Sequence, residues 1–184
     1  MNDIKTVKEI KNMAVLFRKA IEKLRDEGVF NDDFSFHHFP CGCCGDASDL
    51  LGQFLLDQGI ETWYVCGTYI ENFVDVCGES NLQSHAWLTT DNPDTREDFF
   101  IIDITGDQFN KNLEYNCRNE PVYVGRMDSF HKLFETESGD MHPSAPLYTL
   151  GMAAPRLIEK YNQIIKELEN VYVDYQTQGH SLDL

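Results

Sequence analysis

A chain of 184 residues, 42% of them hydrophobic, is long enough for one domain that buries about 70% of the surface its unfolded form exposes, with no need of disulfide staples. Fifteen basic against 31 acidic residues leave a net charge of −16, which repels nucleic-acid phosphates and anionic headgroups; the expected partner is a protein, peptide or small acyl or amide substrate, with a basic one suiting the charge. The opening "MNDIKTVKEIKNMAVLFRKAIEKLRDEG" carries charges throughout, so neither a signal peptide nor a membrane span is expected and a thiol-reducing cytoplasmic setting follows.

Val7, Ile10, Ala14, Phe17, Ile21 and Leu24 recur at spacings of three and four, which predicts an amphipathic helix over about 4–27 that Gly28 can end. After the aromatic loop "FSFHHFP", Ala47, Leu50, Leu51, Phe54 and Leu55 repeat that period from about Cys44, with Gly59 as the stop. The cluster Cys41, Cys43, Cys44 therefore falls at a helix N-terminus. "ETWYVCGTY", "SHAWLTT" and "FFIIDIT" are rich in aromatic and β-branched residues and read as strands, with "PVYVGRM" as a fourth. Residues 135–147 read as a surface loop, and Pro155 opens a closing helix with Leu157, Tyr161, Ile164, Ile165 and Leu168 on one face. The tail over about 176–184 reads as loose. The whole is one α+β domain over 1–184, with the strands gathered between the helices.

Three residues along this order carry chemistry together. A helix N-terminus offers unpaired N–H groups and the positive end of the dipole, which favour a thiolate and can donate to an oxyanion. Periodicity alone does not choose between Cys43 and Cys44, because both fall near the buried stripe at the first turn. His85 heads a strand, and imidazole is the commonest base paired with a catalytic thiol. Asp103 interrupts an apolar strand, where a carboxylate is costly without a partner. A hairpin about the turn near residues 94–95 would set His85 opposite Asp103 or its neighbour, so that the carboxylate could orient the imidazole.

The segments "GCCGDASDLLGQFLLDQGIETWYVCG", "SHAWL" and "IIDIT", over about residues 40–108, resemble the core of the transglutaminase-like superfamily, a branch of the papain-like cysteine enzymes. In that family a Cys, a His and an Asp follow in this chain order, with a Gly two positions before the nucleophile and often an acidic residue two after. Gly42, Cys44 and Asp46 fit, so the resemblance selects Cys44, with His85 and Asp103 as its partners. It implies a papain-like fold with the nucleophile's helix packed on an antiparallel sheet. It also implies a cysteine hydrolase or acyltransferase that works through a thioester and needs no cofactor or metal. Where the family often has "DPT", this chain has "DIT".

The remaining thiols and histidines read more plainly. Cys41 and Cys43 read as packing or secondary thiols, Cys66 as a core residue, Cys77 and Cys117 as loop residues, and Trp87 as core or cleft wall. His37 and His38 read as structural, or as support for the site. Two alternatives stand beside the enzyme. One is a zinc module drawing soft ligands from "HHFPCGCC" with Cys77 or Cys117, although paired C-x-x-C knuckles are missing. The other is a transglutaminase-like domain retained for binding without catalysis.

Overall fold

The computed structural model describes residues 6–69, 84–111 and 119–177. Helix α1 spans Val7–Asp26 and opens on a capping box, in which the Thr6 hydroxyl accepts from the Glu9 N–H while the Glu9 carboxylate accepts from the Thr6 N–H. Gly28, at φ +79°, takes the chain out of the helix in a conformation that side chains disfavour. Helix α2 spans Cys44–Asp57 and is followed by Gly59 at φ +77°. Both helices start and stop close to where their apolar periods do.

The sheet follows. Strands β1 (Trp63–Tyr69), β2 (Ser84–Thr89), β3 (Ile101–Asp103) and β4 (Tyr123–Gly125) lie side by side in the order β4-β3-β2-β1, all antiparallel. Two short strands, β5 (Phe134–Glu135) and β6 (Met141–Pro143), share the free edge of β1, one near each end. The 135–147 stretch lies at the surface, as its polar sequence suggests, but is not loop throughout. A strand of two or three residues is too short for a period-2 signal, and these exist because they pair with an edge already formed. Helix α3 (Ala154–Thr177) closes the order and packs on α1. It includes Gln176 and Thr177, which the sequence places in the loose tail; residues 178–184 lie outside the described part.

The sheet is covered on both faces, which explains why β2 is buried at five consecutive positions rather than at alternate ones. One face, with Leu88 and Ile102, meets the apolar stripes of all three helices. The other carries Val65, Trp87 and Ile101 against Phe99, Phe109, Phe130 and Phe134. Gly67 faces His85 across β1 and β2, and a Cβ there would come within 2.7 Å of the Phe134 Cβ. The β2–β3 register pairs Leu88 with Ile102 and Thr89 with Ile101, two residues away from one that would put His85 directly opposite Asp103. A two-residue offset preserves the face, so the side chains still meet diagonally.

Arg18, buried in the middle of α1, ties this helix to the segment just past β3. Its guanidinium donates to the carbonyls of Ile104 (2.8 Å) and Pro121 (2.6 Å), to both carboxylate oxygens of Asp107 (2.7 and 2.8 Å) and to Glu22 (2.8 Å). Arg18→Met keeps the stem and removes every donor, leaving buried carbonyls and a half-buried carboxylate unpaired. A loss of about 3–5 kcal/mol in urea unfolding is expected. A loss under about 1 kcal/mol would show that water replaces the guanidinium and that the clamp is dispensable.

Candidate active site

The first turn of α2 presents Cys44. Cys43 is the N-cap, with its carbonyl already accepting from the Ala47 N–H at 2.8 Å, so Cys44 is the first helical residue. Gly42, at φ +72°, supplies the left-handed step that leads the chain into the helix. Asp46 is pinned by a bidentate pair from Arg156 of α3 (2.7 and 2.9 Å), which holds this turn against the closing helix.

The three clustered thiols diverge sharply. Cys41 is exposed. Cys43 is buried, its sulfur turned onto the Pro40 carbonyl at 3.4 Å, and burial, reinforced by the neighbouring Cys44 sulfur, pushes its thiol far above the ordinary range. For Cys44 burial also works against the thiolate. There the hydrogen bond and charge of His85 and the N–H groups of Ala86 and Gly45 more than offset it, and the pKa is lowered. Cys66, on β1 opposite Ala86, is half-buried rather than core, and its thiol is raised by burial and by the nearby Cys44 sulfur.

His85 is completely buried, between Cys44 on one side and Asp103 on the other. Its Nε2 lies 2.8 Å from Asp103 Oδ2; a carboxylate only accepts, so Nε2 carries a proton and Nδ1 is left to the thiol side. Burial disfavours the imidazolium, but the Asp103 charge and hydrogen bond and the Cys44 sulfur outweigh it, raising the pKa to about 9. Asp103, 2% exposed, ends β3. Its other oxygen accepts from the Thr105 N–H (2.8 Å) and hydroxyl (3.3 Å). Although burial works against the charge, His85 and a second ring, His131, hold the carboxyl well below the usual range. A Cβ on Gly106 would meet Asp103 Oδ2 at 2.5 Å, so that glycine leaves room for the carboxylate.

Sequence reasoning brought out Cys44, His85 and Asp103, and the fold gathers all three. It missed His131, whose Nε2 donates to the same Asp103 oxygen at 3.2 Å and whose Nδ1 donates to Asp128 at 2.7 Å. It also missed Gln108, which accepts from the Gly42 N–H (3.2 Å), donates to the Thr105 carbonyl (3.0 Å) and brings its amide nitrogen 3.4 Å from His85 Nδ1. Neither Gln108 nor His131 carried a signal in the sequence. Trp87 is core, edge-on to His131 at 5.1 Å. His37 and His38 are exposed and meet each other, ring to ring at 4.4 Å.

Among the described residues, the one group of three potential metal donors within 4.8 Å is His85, Asp103 and His131. The 2.8 and 3.2 Å separations from one shared oxygen are those of N–H donors around a carboxylate. The soft ligands of "HHFPCGCC" form no such group among the described residues, and Cys77 and Cys117 lie outside them. Among the described residues no helix is long and apolar enough to cross a membrane.

The paired shifts of Cys44 and His85 have a thermodynamic signature. Cys44 is lowered and His85 raised to about 9; where the thiol proton resides on the imidazole of the folded site, folded and unfolded chains bind the same number of protons at this pair between the ordinary imidazole pKa of about 6.5 and about pH 9, and the pair adds no slope to stability. Cys44→Ala removes one half. His85, still raised by Asp103, then contributes stability that is full below about pH 6.5 and is lost as pH rises through its folded value. Urea unfolding should show Cys44→Ala losing stability relative to wild type over that window, by up to about 1.4 kcal/mol per pH unit; parallel curves would show that no proton passes from thiol to imidazole. Comparison of the chain with family models, with curated proteins and with solved structures found no match.

Proposed function

We propose that the protein is a cysteine-dependent hydrolase or acyltransferase of transglutaminase-like, papain-like character, acting on a peptide, carboxamide or thioester carbonyl. The observation that carries this reading is the unbroken line from Cys44 at a helix N-terminus, through buried His85, to buried Asp103. The Cys44 thiolate attacks the carbonyl carbon, forming the C–S bond and an oxyanion. The Cys44 backbone N–H would stabilise that oxyanion, and Gln108 would donate a second hydrogen bond, since its amide nitrogen borders Nδ1. As the oxyanion collapses, the bond to the leaving nitrogen or sulfur breaks and His85 gives that atom its Nδ1 proton, leaving a thioester on Cys44. Water or an amine then attacks the thioester carbonyl, His85 takes the nucleophile's proton, and Cys44 departs as thiolate. Asp103 holds the ring throughout.

Intact-mass profiling after exposure to a panel of acyl donors tests the reading directly. The expected result is an acyl adduct confined to Cys44, discharged by water or added amine and absent in Cys44→Ala. Its mass names the substrate class, and the discharge products separate hydrolysis from transfer. Limiting iodoacetamide at neutral pH should label Cys44 ahead of the other five cysteines, because its surroundings lower its thiol pKa where those of Cys43 and Cys66 raise theirs. No adduct from any donor, with Cys41 or Cys43 labelled first, would sink the assignment. Asp103→Asn should slow Cys44 alkylation by roughly 10–10³-fold. That is less than the loss of about 10⁴ in turnover when a serine triad suffers the equivalent change, because the thiolate–imidazolium pair forms before the reaction.

A further inference from the structure

The line of charges does not stop at Asp103. His131 is buried, and its two ring nitrogens face two carboxylates: Nε2 at 3.2 Å from Asp103 Oδ2 and Nδ1 at 2.7 Å from Asp128 Oδ1. Carboxylates accept and do not donate, so each nitrogen brings a proton and the ring is an imidazolium. Asp128 is held for this role, since the same Oδ1 also accepts from the His131 backbone N–H at 2.9 Å.

Among the described residues, other groups around the ring do not supply an alternative partner. His85 on β2 stands 6.3 Å away, centroid to centroid. Tyr123 on β4 lies tilted to the ring at 5.4 Å but donates its hydroxyl to the Arg126 carbonyl, and Glu120 lies across a cavity of about 230 Å³ that Asp103, Asp128 and His131 also line. Lys132, next in the chain, is exposed.

Two positive rings therefore share one carboxylate oxygen, and each weakens the other's hold on its proton. At an effective dielectric of about 20, like charges at this separation repel by on the order of one to two pH units. An imidazolium with Asp103 alone beside it would hold its proton more firmly than one whose carboxylate is shared with a second positive ring.

We propose that His131, held as an imidazolium between Asp103 and Asp128, is a positioning residue that fixes the Asp103 carboxylate and limits how firmly His85 retains its proton. This rests on the acyl-transfer reading of the Cys44 site. Burial opposes the His131 charge, but its hydrogen bonds to Asp103 and Asp128 outweigh it, and the pKa is raised, the direction that favours the charged ring.

The full chain serves for the test. Imidazole-nitrogen NMR and the pH dependence of Cys44 alkylation are recorded for wild type, His131→Gln and Asp128→Asn. Glutamine still donates to Asp103 but carries no charge, so the alkaline step at which His85 loses its proton should move up by about one pH unit, a roughly tenfold gain in proton affinity. In Asp128→Asn the His131 Nδ1 faces a neutral amide in place of a carboxylate, so His131 should release a proton at lower pH than in wild type, and above that pH His85 should titrate as in His131→Gln. A merely structural role would lower stability and leave these steps in place. If wild type shows the Cys44–His85 ion pair while the His85 step stays put in both variants, or if wild-type His131 is neutral at pH 7, the proposal is overturned and the triad stands. If wild-type Cys44 and His85 titrate as ordinary groups, the triad reading fails and the proposal with it. Should His131→Gln not fold, Asp128→Asn carries the test, since that carboxylate is about one-third exposed.

Discussion

Burying the Asp103 carboxylate is the constraint around which the rest is arranged. A lone carboxylate in an apolar interior costs several kcal/mol or protonates, and this one escapes both only because four donors reach it, two from imidazoles and two from Thr105. Each donor places a demand on the chain. β3 must end at Asp103 so that the backbone can turn and offer the Thr105 N–H. Gly106 must lack a Cβ, and the 104–107 segment must be held, which Arg18 does from α1. β2 must bring His85 inward at its first buried position, and Gly67 across from it must leave the aromatic cluster room.

The same balance of burial against partners decides between three thiols that sit within four residues. Burial works against the thiolate at both Cys43 and Cys44, and both lie at the start of α2, yet one is pushed up and the other down. A helix N-terminus is common to both, so it cannot be the deciding effect. What differs is the partner: Cys44 faces an imidazole and two backbone N–H groups, whereas Cys43 faces a carbonyl, which cannot stabilise a thiolate.

The helices were legible in the sequence because each buries a continuous stripe and so imposes a period, and β1 to β4 because their segments are rich in aromatic and β-branched residues. The pairing of His85 with Asp103 was legible too, since strand parity survives a two-residue error in register; the resemblance in "GCCGDASD" did the further work of choosing Cys44. β5, β6, Gln108 and His131 were not legible for a common reason. They lie in short 3₁₀ turns and edge pairings, where neighbouring residues answer to the edge of β1 or to Asp103 rather than to a repeat of their own. A histidine after "DSF" carries no mark of the carboxylate, 28 positions away, that it will touch.

Once a buried carboxylate is paired with an imidazolium, the sign of each further charge is fixed. Cys44, His85, Asp103, His131 and Asp128 alternate negative and positive, so that every buried charge has an opposite neighbour on each side. Such a row cannot end inside the protein, because its last member would have one side unpaired in a low-dielectric medium. It ends at Asp128, about a third of whose side chain is exposed, and, in the other direction, at the half-buried Cys44. Water stabilises the first end. At the second, a carbonyl taking up the sulfur's charge would complete the pairing, so the exposed end of the row is also the place where a reaction would relieve it.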